Sequence, residues 1–186
     1  MNIPRADRAT DSLFFALYPD AAATARINDE AGRLRIEHGL KTRPIPADRL
    51  HITLHYLGAF AGLPADIIEQ ARAAASSIHM PPFDVTLDRI ETFVTRRPKG
   101  PLVVAGNPNE ACSAFVDDLG QALRSVGIVI KSRSRFIPHV TVLYDEHRVA
   151  PHAVASITWT VREFVLVRSL LGRSRHEPLE RWPLPV

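Results

Sequence analysis

Short apolar runs alternate with helical repeats along the chain, and turn-forming residues mark most of the boundaries. Residues 12–18, SLFFALY, are apolar almost throughout, the pattern of a strand covered on both faces. Pro19-Asp20 ends that run, and 20–38 spaces Ala, Ile27, Leu34 and Ile36 among charges as a helix does. The prolines of LKTRPIPADR make 40–49 a loop. LHITLHYLG, 50–58, is rich in β-branched and aromatic residues and closes on Gly58, which predicts a strand. Helical spacing returns over 64–78 through Ile67, Ile68, Ala71, Ala74, Ala75 and Ile78, and Pro81-Pro82 stops it. In FDVTLDRIETFV, 83–94, Phe83, Val85 and Leu87 alternate with Asp84, Thr86 and Asp88, a strand with one wet face. A strand at 101–106, a helix over 109–126 with Phe115, Leu119, Leu123 and Val126 inward, and a strand at PHVTVLY follow. The tail predicts two more strands, 157–171 and about 178–182, on either side of the turn-prone GRSRHEP.

No low-complexity linker divides this pattern, so residues 1–186 are expected to form one domain of two similar halves. The fold class is α+β, with mostly antiparallel sheets and the helices outside. No apolar run approaches the roughly 20 residues of a bilayer span. MNIPRADRATDS lacks the apolar core of a secretory leader. A lone cysteine, Cys112, has no internal disulfide partner, which fits a reducing cytoplasm, and its helical setting predicts a packing role. The formal charge is only +3. Two basic clusters, Arg96, Arg97 and Lys99, then Lys131, Arg133 and Arg135, suit either solvated loops or a positive field that favours a phosphate-bearing partner.

One tetrapeptide pattern occurs twice. His51-Ile52-Thr53-Leu54 returns 88 residues later as His139-Val140-Thr141-Val142. On a strand, His51 and Thr53 share one face, as do His139 and Thr141, while the apolar residues between them point to the core. A His and a Thr two positions apart are separated by roughly 6–7 Å, about the width of a phosphate with its hydrogen bonds. A single His-x-Thr is common and bland; two copies on equivalent strands predict a shared site. Two opposed imidazoles supply both acts that phosphodiester cleavage needs, deprotonation of the attacking water and protonation of the leaving alkoxide. Hydroxyls of Thr53 and Thr141 would hold the non-bridging oxygens.

With these motifs in place, the chain resembles the 2H phosphoesterases, and within them the RNA 2′,3′-cyclic phosphodiesterases, a family also known as 2′-5′ RNA ligases. FFALYPD at 14–20 is similar to the family's opening strand, and RLHITLHYLG at 49–58 to its first motif. RFIPHVTVLYD at 135–145 is similar to the second motif, and the segment from Thr160 to Leu184 to the last two strands. The resemblance implies a bilobal fold in which two antiparallel sheets form a V-shaped cleft with one motif on each wall. It implies metal-free hydrolysis of a 2′,3′-cyclic phosphate at an RNA end to a 2′-phosphate, with no cofactor. His51 would donate a proton to the departing 3′-oxygen, His139 would activate water, and Thr53 and Thr141 would bind the phosphate. RNA ends or oligonucleotides are the implied partners, and a monomer is the default.

Two positions depart from the family. Its members often carry Arg where this chain has Tyr144, which leaves Arg135 as a substitute for any phosphate contact made there. His55 stands where small residues are usual. Strand alternation puts it on the face of His51 and Thr53; the other reading seats it at the outer end of the strand, hydrogen-bonded to a loop.

Three rival readings remain. His51 and His55 have a metal-like spacing, but it aligns ligands only on a helix, and no carboxylate or thiol completes a set. A non-catalytic RNA-binding module would keep the cleft without needing two imidazoles. The same fold acting on 2′-5′-linked oligonucleotides or another cyclic phosphate, including reversible ligation, would keep the chemistry and change the substrate. Phe15, Tyr18 and Tyr56 are candidates for stacking a base.

Overall fold

The computed structural model describes residues 8–130 and 135–185. Lys131 and Arg133 of the second basic cluster lie outside the described residues, as do the first seven residues of the N-terminal stretch. Eight strands and three helices follow in the order β1 (Asp11–Leu17), α1 (Ala21–Glu37), β2 (Ile52–Phe60), α2 (Ala65–Ser76), β3 (Phe83–Thr92), β4 (Gly100–Ala105), α3 (Glu110–Ser125), β5 (His139–Asp145), β6 (His152–Val161), β7 (Glu163–Leu170) and β8 (Arg175–Pro183). A 3-10 turn, Ala47–Arg49, precedes β2.

The helix ends follow from local chemistry. Asp20 accepts a hydrogen bond from the Ala23 N–H at 2.8 Å and starts α1, and Asn109 does the same for Cys112 N–H at the head of α3. Beyond α1, Gly39 takes the left-handed conformation (φ 61°) that lets the chain turn back.

All strand pairs are antiparallel, in the order β6-β3-β4-β5-β2-β1-β7-β8. The expectation of two sheets is thereby corrected. The strands form one eight-stranded sheet, because β2 and β5 meet at its centre. Their pairing is a single bridge, Ile52 opposite Val140, so two four-stranded halves join at a narrow seam. The strand 157–171 also needs correction, since Arg162 separates β6 from β7. Their partners explain the break: β6 adds to β3 at one edge, whereas β7 crosses to β1 in the other half. The last strand begins earlier than expected, inside GRSRHEP.

β1 is buried along its whole length because both of its faces are covered. Leu13, Phe15 and Leu17 point into the main core with residues of α1, α2 and α3, so the three helices cover one face of the sheet. Phe14 and Ala16 point the other way, into a small cluster with Val165, Val167 and Tyr18. Cys112 lies in the main core, and burial pushes its thiol up to about 11, consistent with packing rather than reactivity.

Candidate active site

The seam brings the two His-x-Thr segments together. With Ile52 opposite Val140, the antiparallel register sets His51 across from Thr141 and Thr53 across from His139. Directly opposed Cβ atoms lie about 5 Å apart and diagonal ones about 7–8 Å. Continued one residue to either side of that bridge, the register groups the four polar side chains with the histidines on one diagonal and the threonines on the other. All four are half-buried, while Ile52, Leu54, Val140 and Val142 are fully buried on the helix side.

Each strand is bulged at the same point of its motif. Thr53 pairs with Ala16 but His55 with Phe15, so Leu54 is an extra residue. Thr141 pairs with Val103 but Leu143 with Leu102, so Val142 is extra. A bulge sends two successive side chains to one face. His55 therefore turns toward the helices, where its Nε2 lies 2.8 Å from the Val116 carbonyl of α3. This corrects both readings of His55: it belongs neither to the cleft face nor to a loop at the outer end of the strand. Beyond each bulge the next residue returns to the site face. Tyr56 and Tyr144 take these equivalent places and are 44% and 47% exposed.

The Nδ1 atoms of His51 and His139 face backbone carbonyls two residues back, Arg49 at 2.7 Å and Ile137 at 2.8 Å. A carbonyl only accepts, so Nδ1 carries the proton and Nε2 is the nitrogen that titrates in both rings. His79 and His152 make the same contact, so it fixes a tautomer without marking a site. Burial, then the charges of Arg49 and His139, hold the His51 imidazole below its ordinary value, opposed by the Arg49 carbonyl. The influence of His139 places the two rings within electrostatic reach of each other.

Rings crowd His51. Phe14 lies tilted by 30° at 5.1 Å, Tyr18 at 6.2 Å, and His176 of β8 edge-on at 5.1 Å. Phe93, just past β3, stands edge-on to His139 at 4.8 Å. Of the three candidates for base stacking, Phe15 is fully buried in the core, whereas Tyr18 and Tyr56 lie on the site face. Arg135 donates to Asn107 Oδ1 at 3.2 Å. His176, Phe93 and Arg49 escaped the sequence reading. Each is a single residue outside the repeated motif, so repetition gave no signal for them.

The fold is that of the 2H phosphoesterases. The chain belongs to the 2′-5′ RNA ligase superfamily, whose sequence profile matches residues 19–173. It is 31% identical over 154 residues to the RNA 2′,3′-cyclic phosphodiesterase of Escherichia coli K12, covering 76% of this chain and 80% of that one. The crystal structure of E. coli LigT complexed with 3′-AMP superposes with a TM-score of 0.71 at 28% identity, over 94% of this chain and 98% of that one. A Thermus thermophilus protein shares the fold at a TM-score of 0.73 and 21% identity, over 93% and 97% of the two chains.

Proposed function

We propose that this protein opens the 2′,3′-cyclic phosphate at an RNA end to a 2′-phosphate without a metal ion, using His51 and His139 as an acid and base pair. The observation that carries the reading is the Ile52–Val140 bridge between β2 and β5, which joins the two His-x-Thr segments, with all four polar residues half-buried. A phosphorus atom over those four has an imidazole on each side and a hydroxyl at each remaining corner. His139 Nε2 removes a proton from water as its oxygen bonds to phosphorus; the bond to O3′ breaks and His51 Nε2 protonates that oxygen. Thr53 and Thr141 donate to the non-bridging oxygens as charge builds on them. The bulge that turns His55 away from His51 weakens the metal-site alternative, because the two rings do not converge.

Burial leaves His51 neutral near pH 7 in the free protein. A bound phosphodiester anion favours its charged form, so the proton donor is charged in the complex. The depressed value in the free protein equally suits His51 as base and His139 as acid, and the direct experiment separates the two. The purified protein, in EDTA, is incubated with an oligonucleotide ending in a 2′,3′-cyclic phosphate, and the product isomer and pH–rate profile are determined. A 2′-phosphate is expected, with a bell-shaped profile. Replacing the base removes the acidic limb and replacing the acid removes the basic one. A 3′-phosphate would reverse the leaving group, dependence on added metal would overturn the mechanism, and binding without turnover would leave a recognition module.

A further inference from the structure

We infer that His176 is a positioning residue that sets how the His51 ring is held; the inference rests on His51 being one of the acid–base pair. Phe14, His51 and His176 form a nearly equilateral triangle of rings, with centroids 5.1, 5.1 and 5.4 Å apart. The three come from β1, the residue before β2, and β8. Register explains the meeting: Phe14 pairs with Val167, and His176 pairs with Ser169 two places further along β7. His176 therefore shares the face of Phe14 and Val167, the site face of the sheet.

Among the described residues the His51 ring has one polar tether, from Nδ1 to the Arg49 carbonyl, which by itself permits tilting about that bond. Phe14 closes one face at an interplanar angle of 30°, and His176 meets it at 74°. Together they flank the ring on two sides. His176 Nδ1 is buried and has no hydrogen-bond partner among the described residues. No hydrogen bond from that nitrogen accounts for the placement of the ring, whereas its contacts with His51 and Phe14 do. The groups facing this cluster are Arg49 and Asp48 from the 3-10 turn, His139 from β5, and Tyr18 with Arg181 near it.

The test compares His176→Ala and His176→Phe in the full chain. Two readouts are taken: the tautomer and titration of His51 by nitrogen NMR on labelled histidine without substrate, and steady-state hydrolysis of the cyclic phosphate end. His176→Phe keeps a ring and is expected to hold kcat within about threefold, with His51 in the Nδ1–H tautomer. His176→Ala is expected to lower kcat about tenfold or more with KM within about threefold, as misplacement of a reacting group does. His51 should then titrate closer to its ordinary value and populate both tautomers. His176→Gln replaces Ala if that variant melts below the assay temperature. A wild-type tautomer, titration and kcat in the ring-less variant, with only a lower Tm, would reduce His176 to packing. Equal losses in the Phe variant would overturn positioning by ring contact. Release of the His51 ring by NMR in a protein that never turns over would keep this inference while removing the proposed function.

Discussion

Asp145 ends the strand that carries His139, and its carboxylate reaches into the connection that leads to His51. Oδ2 accepts from the N–H groups of Lys41 at 2.9 Å and Thr42 at 3.0 Å, and Oδ1 from that of His147 at 3.0 Å. Ile45 N–H to Val142 carbonyl, 2.7 Å, makes a second tie between the same two segments. The side chain is buried, and these bonds hold its carboxyl at about 2, below the ordinary 3.8. That difference corresponds to about 2 kcal/mol of folding stability. Because the folded value is depressed, the contribution is complete above the unfolded value and is lost as pH falls from about 4 to about 2. Asp145→Asn keeps the size and one acceptor but removes the charge. Urea denaturation of both proteins across pH 2–7 should show the variant less stable by about 1–2 kcal/mol at neutral pH. The gap should have narrowed to a small fraction by pH 2, where about half of the wild-type carboxyl is itself protonated. A gap that is absent at pH 7, or unchanged at pH 2, would refute this account of the carboxylate.

Further outcomes follow from the same geometry. His51→Ala and His139→Ala should each lower kcat/KM by about 10²–10⁴; normal turnover in either variant, measured on the cyclic phosphate end, would break the pair. His55→Leu should leave kcat unchanged, since His55 faces α3 and Leu143 fills the equivalent place in the other half; a loss comparable to that of His51→Ala would return His55 to the site. Burial, then the charges of His51 and Arg49, push His176 down to about 4, so it stays neutral in the fold while its unfolded counterpart takes up a proton near 6.5. Wild type should therefore lose stability relative to His176→Phe as pH falls from about 6.5 to about 4, measured by thermal melts at each pH. Gly106→Ala would put its Cβ 1.9 Å from the Thr86 carbonyl oxygen. Backbone must move to admit it, and chemical denaturation should show a loss of about 2–3 kcal/mol.

The apolar periodicity carried most of the fold. Helices α1, α2 and α3 lie within a few residues of their expected limits, because Asp20, Asn109 and the flanking prolines punctuate them. β1 was legible as a strand covered on both faces because nothing polar interrupts it from Leu13 to Leu17. Alternation failed where geometry departs from the ideal pleat. At Leu54 and Val142 an inserted residue costs the strand one step of its period, and no side chain in ITLH or VTVL announces it. The tail misled for another reason. Arg162-Glu163 is a short charged step between two apolar stretches, and only tertiary pairing shows that the chain changes halves there. The one sheet in place of two is likewise a question of a single bridge, which strand patterns do not encode. His51, Thr53, His139 and Thr141 stood out because their pattern repeats; His176 did not, because it meets His51 and Phe14 only through tertiary ring contacts from β8.

Strand order is symmetric about the seam, β5-β4-β3-β6 on one side and β2-β1-β7-β8 on the other. The two motifs share their register, their bulges and even the tyrosines that follow. A scaffold so nearly two-fold provides two equivalent imidazoles, and acid–base catalysis needs two inequivalent ones. The inequality must come from what surrounds each ring. Around His51 stand Phe14, Tyr18 and His176, with Arg49 contributing its charge. Beside His139, among other contacts, stands Phe93 from its own half of the sheet. On the mechanism proposed above, the division of labour between the two histidines is therefore written in β1 and β8 rather than in the motifs, and exchanging ring neighbours should alter which histidine gives the proton before it alters whether the phosphate binds.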